Sequence, residues 1–515
     1  MKDRNRPAPA EAATIRAQAA ALAAVAHADP DDESVARAKL NAHGIDDAEI
    51  ARQLSTMASN TAGTPAVLTS YSLLHGLQHL DAIERTPPPA AIAADAVVTL
   101  FRAAEIAIGC LGILAQRMRA NLEQGRLERA HANARWRAGL HELLYRASGL
   151  VAEVGAGGGD GDRLDLADSP LYRDYRARCD ELHRYLVDRW REPATEIFGK
   201  ELDDPRRFTF FHEFVNSADE RTWSARLSGI RLAGVRRESG EEAVAFHARV
   251  VGCAEIEAML GALETVAETD LLPFRVVHMI SEATAGFVNR RLCAAIDRLL
   301  APGAANASGA AETLALANRM LAMVDDAVKL MMRTLTPRAY SAVRPNLGMV
   351  RGTSSVVLRK TLFNATYPLA VRAFRLRIAA LDPAAANDDA AIERRTRELL
   401  DSEGDEERAL GAFARGLVVL HQHVRTWRDN HQQLPKTHLG VSPGAAPPTV
   451  SLSGSDSAVH IAHELRRRHE RDPIAPIHAA AFGAPPCSTH ELVTAGAFDE
   501  HMAHQTARAD RKSVV

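Results

Sequence analysis

The chain has 515 residues, of which 46% are hydrophobic and 25% charged, a balance typical of folded globular proteins and not of disordered or fibrous ones. Lys and Arg (62) nearly balance Asp and Glu (65), so the sequence lacks the basic surplus of nucleic-acid-binding proteins and favours a small-molecule partner. The five cysteines are scattered without a CxxC pair, which argues against a disulfide framework, a structural zinc site and a covalently attached haem.

The first 30 residues are basic and then rich in alanine, but Arg16 and Gln18 interrupt any signal-like apolar block. No run approaches the ~18 consecutive apolar residues of a membrane-spanning helix. We therefore expect a cytoplasmic protein with no membrane partner.

Apolar residues recur at three- and four-residue spacing along most of the chain, and Ala, Leu, Arg and Glu dominate, so an all-α helical bundle is predicted. Only residues 222–252 hint at short strands, and loops between helices explain that segment equally well. Four stretches rich in Gly, Pro, Ser or Ala are predicted to be linkers or exposed loops: 154–170, 301–311, 382–390 and 441–457.

Residues 99–110 align with residues 272–283, which pairs Phe101 with Phe274, Arg102 with Arg275, and Glu105 with His278. A second echo pairs `DRWREP` with `RTWRDN`. A divergent internal duplication and chance similarity both explain these matches. The predicted domains are an N-terminal helical pseudo-repeat (1–165), a catalytic helical domain (166–460) and a partly disordered, His- and Arg-rich tail (461–515).

In `LLPFRVVHMISE`, Phe274 precedes His278 by one helical turn on an apolar face. Such a pair can line a pocket for a flat substrate, although a core histidine with a satisfied hydrogen bond is the plainer interpretation. In `LTPRAYSAVRPNLG`, Thr336 is suited to cap a short helix that starts at Pro337, and Tyr340 and Arg344 share one face of it.

An arginine at the end of such a short helix can clamp a carboxylate through its planar guanidinium, or it can simply face solvent. The small-residue turn at 352–355 allows a bulky ligand to approach the backbone closely. Further along, Trp427 and His431 are one turn apart on a predicted helix with a buried side. An imidazole placed beside a large aromatic ring on such a face can ligate an iron porphyrin.

Taken in order, these segments resemble the tryptophan 2,3-dioxygenase group of the haem-dependent aromatic oxygenase superfamily. `LTPRAYSAVRPNLG` is similar to the family's LTPxxYxxxRxxLG segment, `WRDNH` to its WRxxH motif, and `LPFRVVHMISE` to its LFxxxHQxxE helix. The resemblance spans roughly residues 270–460. It implies a helical bundle of the tryptophan and indoleamine dioxygenase type that uses haem b, dioxygen and a small aromatic amino acid, and it makes self-association an open expectation.

The resemblance also implies a role for individual residues. His431 would ligate the haem iron with Trp427 beside it, while His278 would accept the indole N–H and Arg344 would grip the substrate carboxylate. The implied cofactor-binding residues are His431, Trp427, Gly352 and Arg359. The implied substrate-binding residues are Phe274, Tyr340, Arg344, Gly352 and Ser355. The implied catalytic residues are His278 and Arg344.

The sequence departs from the family pattern at three points. Met279 replaces the glutamine that follows the distal histidine, Arg351 enters the small-residue turn, and `PGAAPP` replaces the GTGG loop, with Ala445 at the threonine position. These changes favour a divergent member, such as an indole hydroxylase or a ring-rearranging enzyme like that of pyrrolnitrin biosynthesis. A haem-binding protein without turnover and a purely structural helical protein are the alternatives.

Overall fold

The computed structural model describes most of the middle of the chain. The described residues are 12–17, 19, 89–155, 160–198, 217–264, 270–343, 358, 362–363, 366–386, 388–439 and 474–482. Helices dominate these residues and strands are almost absent from them, so the predicted all-α class is confirmed.

Thirteen α-helices and one short antiparallel strand pair occur in the described ranges. The helices are α1 (Pro89–Glu123), α2 (Leu127–Gly155), α3 (Pro170–Phe198), α4 (Ser217–Arg226), α5 (Ala243–Val251), α6 (Cys253–Glu264), α7 (Leu271–Leu300), α8 (Ala304–Thr334), α9 (Pro337–Val343), α10 (Tyr367–Leu381), α11 (Asp389–Leu400), α12 (Asp405–Leu439) and α13 (Ala475–Phe482). The strands are β1 (Arg163–Leu164) and β2 (Ile230–Arg231), and 3-10 turns occupy Leu166–Asp168 and Pro383–Ala386.

Two long helical hairpins form the centre of the molecule. Helix α1 pairs with α2 across a tight turn in which Gly125 has φ +69°, and α7 pairs with α8 across a turn in which Gly303 has φ +107°. Both glycines adopt a positive-φ backbone conformation that is unfavourable for residues with a side chain. The predicted linker at 301–311 is wrong beyond residue 303, because its alanine-rich second half has high helix propensity and forms the start of α8.

Helix α7 is buried along almost its whole length and packs against α1, α8 and α10. It carries charged residues into the core, and two of them pair with a carboxylate of α1. Asp95 of α1 accepts a hydrogen bond from Arg291 Nη2, and Arg290 Nη2 lies 3.7 Å from the other oxygen of the same carboxylate. One hydrophobic core contains residues from both sides of position 165, and the predicted domain boundary there stays a prediction.

The two strands tie together parts of the chain that are distant in sequence. Leu164 pairs with Ile230, and Arg163 pairs with Arg231. Within 222–252, only the two residues of β2 form a strand, while the rest is divided about equally between the helices α4 and α5 and the loops that join these elements. Both of the interpretations left open for that segment are therefore partly right.

Helix α1 contains the one stretch in the described ranges, Ala94–Glu123, that is long and apolar enough to cross a membrane. All residues of its most apolar window are buried inside the protein, against α2, α3 and α7. The internal packing of α1 accounts for its apolar composition. The cytoplasmic location stays a prediction.

The residues matched in the proposed duplication are buried in both central helices. Phe101 and Glu105 of α1 are fully buried, and their counterparts Phe274 and His278 of α7 are at most 8% exposed. Helices α1 and α7 also contact each other. This arrangement is compatible with a duplication, which stays a hypothesis.

A short helix, α13, lies within the predicted C-terminal tail. It packs against α11 and α12. Ile477 of this helix and Ile474, the residue just before it, are both buried. The remainder of the tail lies outside the described residues.

A buried hydrogen bond joins the two hairpins, and its loss should be measurable. Trp136 Nε1 of α2 donates to Asp270 Oδ1, just before α7, at 2.7 Å. Trp136→Phe removes this donor and part of a fully buried ring, so we expect a loss of about 2–4 kcal/mol in the free energy of unfolding. Urea denaturation at neutral pH measures it, and a loss under about 1 kcal/mol would contradict the expectation.

The same variant should change the pH dependence of stability. Burial raises the pKa of Asp270 above the ordinary 3.8, whereas the Trp136 hydrogen bond lowers it. A group with a raised pKa in the folded state stabilises below its unfolded pKa and loses that contribution as pH rises through its folded pKa. Trp136→Phe should therefore steepen the loss of stability above pH 3.8. Adding Asp270→Asn should remove this extra slope.

Candidate functional site

Phe274 and His278 lie together in the first half of α7, as the sequence predicts. Their ring centroids are 4.5 Å apart with planes tilted by 36°, and both side chains are buried. His278 Nδ1 is 2.9 Å from the Phe274 carbonyl oxygen. Because a carbonyl only accepts, the ring proton belongs on Nδ1, and Nε2 is left as the acceptor of the imidazole.

Burial also fixes the charge state of His278. It lowers the pKa of the imidazole from the ordinary 6.5 to about 4, while the hydrogen bond to the Phe274 backbone works in the opposite direction. His278 is therefore neutral at physiological pH. The hydrogen bond of Nδ1 agrees with the plainer interpretation of His278 as a core histidine with a satisfied hydrogen bond. That bond involves only one of the two ring nitrogens.

The short helix predicted at Pro337 is present as α9. Thr336 Oγ1 accepts a hydrogen bond from the backbone N–H of Ala339 at 3.1 Å, which is the capping contact that the sequence predicts. Tyr340 is half-buried on this helix and packs against the hydrophobic core. Since α9 contacts α12, Tyr340 lies on an element that adjoins the helix of Trp427.

Helix α12 has the predicted buried side. Leu417, Val418, Leu420, Val424 and Trp427 are all buried. The Trp427 indole meets Phe363 edge-on, with ring centroids 5.3 Å apart. The helix continues without a break past residue 431, so His431 lies one turn after Trp427 on the helix, although its side chain is outside the described residues.

Residues at the start of α10 connect α7 with α12. Thr366 Oγ1 donates to Asn289 Oδ1 of α7 at 2.6 Å, and the Tyr367 hydroxyl forms a hydrogen bond with His421 Nδ1 of α12 at 2.8 Å. With Phe363 against Trp427, these contacts give one structural link from the helix of His278 to the helix of His431.

Four of the predicted site residues lie outside the described residues: Arg344, Gly352, Ser355 and Arg359. The same holds for Ala445 and its loop. The structure therefore brings Phe274 and His278 together and joins the helices of Tyr340 and Trp427, while the carboxylate clamp and the small-residue turn stay predictions.

A surface cavity of about 270 Å³ lies between α2 and α8 and reaches Asn430, the residue before His431. It is lined by charged side chains that include Arg146, Asp326 and Arg333. Phe274, His278 and Trp427 do not line it. Because this cavity is open at the surface, it differs from the enclosed pockets that hold flat aromatic ligands.

Sequence reasoning missed a second set of polar residues, in which Glu105, His247 and Cys253 meet in the core. Glu105 was noted only as the counterpart of His278. His247 and Cys253 lie 142 and 148 positions after Glu105, too far apart to form a sequence motif. The one local signal is the pair of ligand-type residues on either side of Gly252.

Comparison of the chain with protein-family models, with curated proteins and with solved structures found no match.

Proposed function

We propose that this protein is a haem-dependent oxygenase that acts on tryptophan or a substituted tryptophan or other indole amino acid. The proposal rests on the three ordered sequence motifs. The structural observation that supports it most is the state of His278, which is buried, neutral and has its acceptor on Nε2.

That state matches the chemistry required of His278. An indole N–H is a donor, so its partner must be an unprotonated ring nitrogen. The hydrogen bond from Nδ1 to Phe274 provides this tautomer and fixes the orientation of the ring. Phe274, 4.5 Å away, offers an aromatic surface against which a flat substrate can stack.

The residues on α12 fit a haem group on two counts. Trp427 is buried against Phe363, which gives an apolar wall one turn before the predicted ligand, His431. The helix is continuous at that point, so the ligand would sit on a rigid element. Haem iron, when bound, supplies the binding and activation of dioxygen.

The remaining work falls to the chain's own side chains. Arg344 would hold the substrate carboxylate through a bidentate, charge-assisted pair, worth roughly 1.5–3 kcal/mol when buried. Its main contribution would be orientation, because a displacement of about 1 Å can lower a rate by ~10²-fold. By accepting the indole N–H, His278 would determine which carbon of the ring faces the oxygen.

His278→Gln tests this assignment. The amide of glutamine is offset from the position of Nε2 and has a donor beside its acceptor, so we expect kcat for indole substrates to fall by about 10²-fold while haem content stays unchanged. Oxygen consumption with tryptophan and ring-substituted tryptophans is the measurement. The exposed His131→Gln is the control and should behave like the wild type.

Two results would contradict the proposal. Full activity in His278→Gln would show that the histidine has no role in the reaction. Bound haem in the wild type without oxygen consumption on any indole substrate would instead favour a haem-binding protein on the same helical scaffold, which the lost GTGG loop makes the main alternative.

A further inference from the structure

Three side chains with metal-ligating atoms converge in the core, away from α9 and α12. Glu105 comes from α1, His247 from α5 and Cys253 from α6. One ligand atom of each lies within 4.8 Å of the other two. All three residues are at most 1% exposed. A buried carboxylate, imidazole and thiol at one point is an uncommon arrangement, because each polar group loses its hydration there.

The local backbone holds the three residues in place. Gly252, with φ +79°, ends α5 and turns the chain so that Cys253 begins α6. Arg102 Nε of α1 donates to the carbonyl of Val251, the last residue of α5, at 3.0 Å. Arg102 lies three residues before Glu105 on α1, so this bond fastens the turn between α5 and α6 close to the carboxylate.

The carboxylate of Glu105 is oriented from both sides. His247 Nε2 donates to Glu105 Oε1 at 2.8 Å, and Ser169 Oγ donates to Glu105 Oε2 at 2.7 Å. His247 Nδ1 is buried and has no hydrogen-bond partner among the described residues. Hydrogen bonding within the cluster thus accounts for only one of the two imidazole nitrogens, although buried polar atoms are usually paired.

We propose that Glu105, His247 and Cys253 bind one zinc ion. Zinc binds a thiolate sulfur at about 2.3 Å, an imidazole nitrogen at about 2.0–2.1 Å and a carboxylate oxygen at about 2.0–2.2 Å. Ligand atoms around a tetrahedral ion are then roughly 3.5 Å from one another. The donor atoms here span 2.8 Å to at most 4.8 Å, so side-chain adjustments of about an ångström would complete the site.

The charges of this donor set also suit a divalent cation. On zinc binding, Cys253 would release its thiol proton to solvent, and the ring proton of His247 would move from Nε2 to Nδ1 so that Nε2 faces the ion. The thiolate and the carboxylate then supply two negative charges, which the ion neutralises while the imidazole stays uncharged. This leaves no net charge on the buried group. Arg102, the arginine one turn before Glu105, is hydrogen-bonded to the carbonyl of Val251.

The position of the cluster indicates what the ion would do. The three ligands come from three helices, so a bound ion would join α5 and α6 to the buried face of α1. The three protein ligands leave one tetrahedral position of the ion open. Because the site is closed to substrates, its role is structural and it is independent of the oxygenase proposed above.

Zinc binding to the full-length wild-type chain is the first test. After incubation with a zinc salt and removal of loosely bound metal, elemental analysis should find one zinc per chain. X-ray absorption at the zinc edge should show one sulfur at about 2.3 Å together with nitrogen and oxygen ligands at about 2.0–2.2 Å. A chain that retains no zinc, or retains it without a sulfur ligand, would overturn the proposal.

Variants then assign the ligands. Cys253→Ser and Glu105→Gln should each weaken zinc binding at least about 100-fold in competition with a chromophoric chelator, since even outer-shell changes cost 10–100-fold. Cys293→Ser, at a buried cysteine of α7, is the matched control and should bind like the wild type. Wild-type affinity in Cys253→Ser would contradict the assignment. The assay does not require haem, so its failure and that of the oxygenase are distinguishable.

Discussion

His431→Ala should yield a purified chain with about a tenth or less of the wild-type haem content and no Soret band, because the substitution removes the only protein ligand assigned to the iron. A haem b group would have no covalent attachment to the chain, so under this proposal its retention would depend on that bond and on apolar contacts such as those offered by Trp427. The measurement is the ratio of Soret to protein absorbance after reconstitution with hemin.

A matched control and a rescue separate ligation from a folding defect. His423→Ala removes a histidine from the same helix, α12, and should leave haem content close to that of the wild type even though the contact with Asp325 is lost. Added imidazole should restore a Soret band to His431→Ala by occupying the vacated ligand position. A variant with full haem content and an unchanged Soret band would refute the ligand assignment.

Asp95→Asn should lower the free energy of unfolding by about 3–5 kcal/mol, the largest stability effect that we expect. Asp95 is 1% exposed and pairs with two buried arginines of α7, Arg290 and Arg291. Asparagine keeps the shape but removes the charge. The arginines cannot lose their protons, so they would remain as positive charges inside the core. Urea denaturation followed by circular dichroism measures the loss.

An exposed ion pair serves as the control. Glu393 of α11 lies 2.7 Å from Arg397 one turn later, and both side chains are at least one-third exposed. Glu393→Gln should change the free energy of unfolding by no more than about 0.5 kcal/mol. If Asp95→Asn were as mild as this control, the buried charge network would not stabilise the contact between α1 and α7.

Features encoded by nearby residues could be predicted from the sequence. The cap at Thr336, the short α9 and the buried side of α12 each follow from residues within a few turns of one another, and all three are present. The pairing of Phe274 with His278 is also local, since i and i+4 share a helix face. The hydrogen bond that sets the tautomer of His278 runs to the backbone of the same helix.

Features that depend on the tertiary fold could not be predicted in this way. Asp95 and Arg291 are 196 positions apart, and Glu105 and His247 are 142 apart. Neither pair is close enough in sequence for a motif to reveal the contact. Counting cysteine spacings argued against a zinc site, but a mixed donor set from α1, α5 and α6 contains a single cysteine and leaves no such pattern. The start of α8 was mistaken for a linker because Gly303 and several small residues lie together there.

Titration of the wild-type chain with hemin tests the central claim most directly, since everything proposed for His278, Arg344 and the substrate depends on an iron porphyrin bound at His431. We expect saturation at one haem per chain, a Soret band of a histidine-ligated iron, and a shift of that band when tryptophan or a substituted tryptophan is added. A folded chain that stays colourless after the titration would contradict the account.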